Sequence, residues 1–203
     1  MSPRRRRARR CPETSRSTVP WLRQLMTDSV AAMDEGQGPL HESRPKVEAI
    51  SAEQAASFAI LRREQVAGDQ LPRGRRDAVD GGGMARRRGL NSALARRAAT
   101  QIGDVWVVPG NGYVALLVDG GAVCTETGFV ARQGTVTWTS QDGKGIVHGL
   151  VPDGVTEVTL FDSEDAPTSV LVTENVYGAR LARYFRSLRF TGPAGKVELG
   201  PWS

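Results

Sequence analysis

Cys124 and His148 are the residues of this sequence whose types could work together as a thiol nucleophile and an imidazole base. A thiolate needs a neighbouring cation or base to lower its pKa, and the sequence around neither residue supplies one. A free cysteine in a strand-like stretch behaves as a small hydrophobe, so Cys124 reads as buried and inert. The other histidine, His41, and the other cysteine, Cys11, lie far upstream. No spaced set of these residues forms a zinc site or a disulfide framework.

Asp162, Glu164 and Asp165 resemble a cation cluster or a catalytic pair. They lack the D-x-[DN]-x-[DN]-G order of a calcium loop and fall in a proline-containing turn, so they read as a solvated turn. The stretch "VVPGNGYVALLVDGG", 107 to 121, carries Gly110, Gly112 and Ala115 in the order G-x-G-x-x-A after an apolar run. A phosphate-cradling loop needs a helix after the glycines, because the helix N-terminus supplies the donors. Tyr113 to Val118 is instead dense in β-branched and aromatic residues and ends in Asp119-Gly120-Gly121, which makes "PGNG" a hairpin turn. No Walker-type Lys-Ser pair and no G-x-S-x-G elbow occurs. The sequence therefore nominates no catalytic, cofactor-binding or metal-binding residue, and the chain is expected to be non-catalytic.

The remaining chemistry is cationic. The net charge of +5 is uneven: residues 1 to 97 carry +9 and residues 98 to 203 carry −4. Arg4 to Arg7, Arg9, Arg10, Arg73, Arg75, Arg76 and Arg86 to Arg88 form basic runs of the kind that neutralise phosphates and release counterions. Only Lys46, Lys144 and Lys196 are lysine, the pattern arginine codons in a GC-rich genome produce without selection for guanidinium chemistry. No nucleic-acid-binding motif accompanies the runs, so they imply weak, salt-sensitive binding to polyanions. Arg180, Arg183, Arg186 and Arg189 are spaced to mark a basic strip at one edge, where charge also discourages edge pairing.

The elements that position these residues divide the chain at about 50 and 100. Residues 1 to 50 are polar and basic, with one apolar patch at Trp21, Leu22, Leu25 and Met26, too little to offset the roughly 1 to 2 kcal/mol of entropy lost per ordered residue. They are expected to form a disordered tail. Ser51 at an N-cap position with Gln54 as capping-box partner predicts a helix over 51–64, and Asn91 predicts a second over 91–99. Between them, 68–90 is rich in Arg and Gly and reads as a flexible connection with no face to bury. From 100 to 203 the spans 104–108, 113–118, 122–131, 135–139, 145–151, 156–161, 169–181, 187–191 and 196–199 read as strands, most of them separated by turn signals. In "TVTWT" Val136 and Trp138 share one face, and in "TEVTLF" Val158 and Leu160 point inward. The fold is expected to be mainly β, an antiparallel sandwich or partly open barrel with one or two packed helices. Trp106 and Trp138 are expected in the core or on a hairpin face.

The longest apolar run, Tyr113 to Val118, is six residues, against about 20 for a membrane span and about 7 to 15 for a signal-peptide core. A chain starting as written is expected in the cytoplasm. A start at Met26 or Met33 would reopen export.

"SAEQAASFAILRR", "LNSALARRA", "VWVVPGNGYVALL", "GLVPDGVTEVTLF" and "NVYGARL", in that order, resemble a group of proteins from high-GC Gram-positive bacteria that have no assigned activity. The resemblance covers about residues 50 to 200. It implies a β domain behind an export or anchor segment, where this chain carries an arginine-rich leader instead, and it transfers no functional residue. Taken together, the expectations are of a non-catalytic interaction or sensing module, with a protein partner held by sheet edge or loops. The alternatives are a nucleic-acid-associated protein acting through its arginines, and a cysteine hydrolase or transferase using Cys124 and His148.

Overall fold

The structure is a computed structural model and describes residues 45–119 and 121–200. These all fall within the unit Glu42–Ser203. Residues 1–44 of the expected tail, with its arginine run and its apolar patch, lie outside the described residues, as do Cys11 and His41. Its last residues, 45–50, are instead placed, Val47 N donating to Gly89 O at 3.1 Å, Lys46 pairing with Asp80 at 2.7 Å and Ile50 packing on the core.

Ser51 caps a helix as its sequence predicts. The Gln54 amide donates to Ser51 Oγ at 3.2 Å and the Ser51 amide donates to Gln54 Oε1 at 3.1 Å. The helix does not run to 64, however. It ends as α1 (Ala52–Ser57), Phe58 is extended at φ −137°, and α2 (Ala59–Arg62) follows. The break has a packing reason: Phe58, Ile60 and Leu61 are all buried, and a continuous helix would turn 58 and 60 to opposite sides. The amides at the start of α2 find acceptors far away in sequence. Ala59 N donates to Asp153 Oδ1 at 2.6 Å and Ile60 N to Asn175 Oδ1 at 3.1 Å.

The connection over 68–90 is structured, contrary to its composition. It holds α3 (Arg73–Gly81) and α4 (Gly83–Arg87). Leu71, Val79, Ala85 and Leu90 are buried against Trp106, Val108, Ala115 and Leu117. A helix this short is marginal alone. Burial of its apolar face, at about 1.5 to 3 kcal/mol for a fully buried Val or Leu side chain, holds it in place. The second expected helix, 91–99, is also corrected. Asn91 does cap a turn, accepting from Ala93 N at 2.9 Å, but the turn is a single 3-10 turn over Ser92–Leu94. The chain then enters β1 (Arg96–Thr100), where Arg96 and Ala98 point in and Arg97 points out. Alternation with period two overrides the helical propensity of "ALARRAA". Arg96 is buried without an acid of its own, its guanidinium donating to the carbonyls of Arg63, Leu94 and Ala95.

The remaining strands are β2 (Gly103–Pro109), β3 (Tyr113–Val118), β4 (Gly121–Glu126), β5 (Thr135–Gln141), β6 (Lys144–Leu150) and β7 (Glu157–Asp162). Then come β8 (Pro167–Leu171), β9 (Val176–Arg180), β10 (Phe185–Gly192) and β11 (Gly195–Leu199). They form three antiparallel sheets: sheet 1, β1-β2-β3-β4; sheet 2, β5-β6-β9; and sheet 3, β11-β10-β7-β8. Two expected strands are shorter than read. The span 122–131 is a strand only to Glu126 and then a helix, α5 (Thr127–Gln133), stopped at Gly134 with φ 69°. The span 169–181 is split into β8 and β9 by a turn at Glu174 and Asn175, both at positive φ. The fold is mainly β and antiparallel, with short helices.

Sheet 1 is covered on both faces. Val105, Val107, Val114 and Leu116 face a core shared with Phe58, Ile60, Leu150 and Val176, whereas Trp106, Val108, Ala115 and Leu117 face α3 and α4. That explains why "VWVV" and "VALLV" are unbroken apolar runs: both sides of the strand are dry. Sheets 2 and 3 enclose another core, containing Val147, Tyr177, Val158, Leu160, Phe185 and Leu188. Val158 and Leu160 point inward as expected. Val136 packs on the same core, and Trp138 lies half-exposed with its ring 5.4 Å from that of Phe185. No helix among the described residues is long and apolar enough to cross a membrane.

Candidate functional site: a cleft beneath α3 and α4

The "PGNG" stretch is a hairpin. Pro109 pairs with Val114 across β2 and β3, Gly110 N donates to Tyr113 O at 2.8 Å, and Gly112 takes φ 73°. Gln54 anchors the turn from α1, its Nε2 donating to Gly110 O at 3.0 Å and to Tyr113 O at 2.8 Å. On the other side Asn111 N donates to Arg88 O and Asn91 N to Pro109 O. The turn thereby fixes the C-terminal end of the segment that carries α3 and α4 over sheet 1.

Beneath that segment lies a cleft of about 410 Å³. Its roof comes from Arg75, Ala78, Val79, Gly82 and Ala85, positions at helical spacing whose side chains, apart from Arg75, are small. Ala115, Leu117, Ala122 and Cys124 on β3 and β4 form its floor. Small residues on both walls leave space that larger ones would fill. Arg75 is the one charged residue in the lining. Its guanidinium lies 4.6 Å from the centre of the Trp106 ring, and its Nη2 pairs with the exposed carboxylate of Asp119. Arg75 Nη1 and Trp106 Nε1 are enclosed nitrogens with no acceptor. An unsatisfied buried donor costs about 1 to 3 kcal/mol, so Arg75, which lines the cleft, carries one donor short of an acceptor, and Trp106, stacked on it behind the lining, carries another.

Cys124 sits in the cleft floor, half-buried, and burial pushes its thiol up to about 11 although the charge of Arg88 opposes the shift. Its thiolate fraction near neutrality is accordingly small. In a Cys11→Ser background, a maleimide at pH 7.5 is expected to label native Cys124 on the order of 100-fold more slowly than urea-unfolded Cys124, whose pKa returns to about 8.5. A mass-spectrometric time course reads the ratio directly. His148 lies on β6 in sheet 2, not on the sheet that carries Cys124. Burial moves its imidazole below the usual histidine value, against the pull of Asp119, so it is neutral at neutral pH.

The acidic turn is only partly solvated. Asp162 is buried and its Oδ1 accepts from Glu164 N at 2.9 Å and Ala166 N at 3.0 Å, which corrects the expectation of a wholly solvated turn. Glu164 and Asp165 are exposed and pair with Arg183 and Arg186. Arg189 pairs with Glu198 at 3.0 Å and lies over Phe161. Three of the four arginines read as a basic strip are therefore matched by acids across neighbouring turns and strands. The cleft itself was invisible to sequence reading. Its one available signal was the spacing 75, 78, 79, 82 and 85, masked by glycine and alanine.

No family model, curated protein or solved structure matches the chain.

Proposed function

We propose that this chain is a non-catalytic sensing module that takes a small apolar molecule into the cleft between α3, α4 and sheet 1. The observation that carries this reading is the pairing of a small-residue roof with a small-residue floor around about 410 Å³. Binding sites for small molecules are concave, mostly apolar and supplied with a few polar groups, and the cleft fits that description. The signal would come from the roof. α3 and α4 are short and depend on packing for their stability, so a molecule that fills the space beneath them orders them further.

Titration of the full chain with 1-octanol tests the reading. Binding is expected to be saturable, roughly millimolar or tighter, and to slow amide exchange over residues 73–87. Ala122 is exposed at the cleft mouth, so Ala122→Trp should fold normally while blocking entry. If octanol binds this variant as well as the parent, or leaves exchange over 73–87 unchanged, the cleft is not the site.

A further inference from the structure

We infer that the molecule taken by the cleft is a small aliphatic monocarboxylate whose carboxylate pairs with Arg75. This rests on the cleft reading and adds the chemistry of the ligand's polar end. The lining carries one cation, no acid and otherwise apolar or small side chains, an arrangement complementary to a single anionic group on an apolar tail. Arg75 Nη1 has no acceptor, and neither does Nε1 of Trp106, which is 8% exposed and stacked on the same guanidinium. Trp106 lies behind the lining, so Arg75 is the donor that meets the cleft, and a guanidinium one bond short of its partners takes an acceptor.

A carboxylate suits the place because the planar guanidinium offers parallel N–H groups that its two oxygens match. The present partner of Nη2, Asp119, has a side chain 89% exposed. Water competes for it, and a ligand carboxylate held against the cleft wall is the better desolvated partner. The apolar tail would then run beneath Ala78 and Gly82 over Ala115 and Leu117.

Calorimetric titration of the full chain with octanoate and with 1-octanol, which share a tail and differ in the head group, tests the inference. The parent is expected to prefer octanoate by about tenfold, the scale of one charged hydrogen bond. Arg75→Met keeps an apolar stem over Trp106 and should erase the preference while octanol still binds. Asp119→Asn frees Arg75 of its competing carboxylate and should tighten octanoate several-fold without moving octanol. Equal affinity of the parent for the two probes overturns the carboxylate and leaves the cleft standing; binding of neither overturns both. Should Arg75→Met lose its cooperative melting transition, Asp119→Asn decides, and octanoate affinity that stays level or falls there overturns the inference.

Discussion

Replacing Gly149 by alanine is expected to destabilise the protein by about 3 kcal/mol, at the upper end of what overpacking costs. Gly149 lies on β6 directly opposite Tyr177 on β9. A Cβ at 149 would stand 2.1 Å from the Tyr177 hydroxyl oxygen, 2.2 Å from the ring carbon that bears it and 2.4 Å from the Thr135 carbonyl. None of the three can give way cheaply. Tyr177 is completely buried between sheets 2 and 3, and its hydroxyl donates to that same Thr135 carbonyl at 3.4 Å. Burial drives its phenol pKa far up, so a neutral ring fills this space at every accessible pH. Urea denaturation of the variant measures the loss. The double variant with Tyr177→Phe tests the assignment, since removal of the hydroxyl should return part of the loss. A Gly149→Ala protein as stable as the parent would show that β6 and β9 are not in this register.

Asp69→Asn is expected to cost about 3 kcal/mol near neutral pH, the scale for breaking a buried charged pair. Asp69 is 1% exposed and holds four donors: the Arg63 guanidinium twice, at 3.0 and 2.8 Å, and the amides of Val66 and Arg97, each at 2.8 Å. Asparagine would turn an N–H group toward that set of donors. The loss should depend on pH with a definite sign. Burial by itself would raise the Asp69 pKa, but the hydrogen bonds from Arg63, Val66 and Arg97 outweigh it and hold the carboxyl below the usual range. A carboxyl with a lowered folded-state pKa contributes stability that is present above its unfolded value, about 3.9, and is lost as pH falls through the folded value. The gap between parent and variant should therefore be full at pH 7 and shrink below about pH 4. A gap that stays constant down to pH 2 would mean that Asp69 is not ionised in the folded chain. Asp80 and Asp153 are lowered in the same direction, by bonds to Lys46 and Ser92 and to Asn175, Arg62 and Ala59, so the parent should lose stability steadily in acid.

Local signals in the sequence held where one short stretch contains the whole interaction. The capping box of Ser51 and Gln54, the "PGNG" reversal and the inward Val158 and Leu160 are of this kind. Signals failed where a distant partner decides. "ALARRAA" has every local reason to coil, yet pairing of Arg96 with Val107 and Ala98 with Val105 draws it into sheet 1. Glycine and arginine made 73–87 look unstructured, because the stripe that faces sheet 1 is built of residues too small to register as apolar. Gly128 and Phe129 read as the end of a strand, and only the stop at Gly134 shows a helix. The candidate site was hidden for the same reason: Arg75 and Trp106 are joined only by the packing of α3 across β2. Gln54 shows both limits at once, since its capping role is local and its grip on Gly110 and Tyr113 is not.

The bond from Ile60 N to Asn175 spans 115 positions, and that from Ala59 N to Asp153 spans 94. On a nascent chain, the α2 segment emerges long before either acceptor has been made. These two anchoring bonds, and the contacts with Leu150 and Val176, are thus postponed until β8 and the turn after it have been made, and sheet 1 alone covers Phe58, Ile60 and Leu61 in the interim. Such long-range closure slows folding and leaves the stretch only partly covered until it is complete. A chain interrupted before residue 175 would lack the Asn175 anchor and the Val176 contact and so hold α2 by one side of its core only.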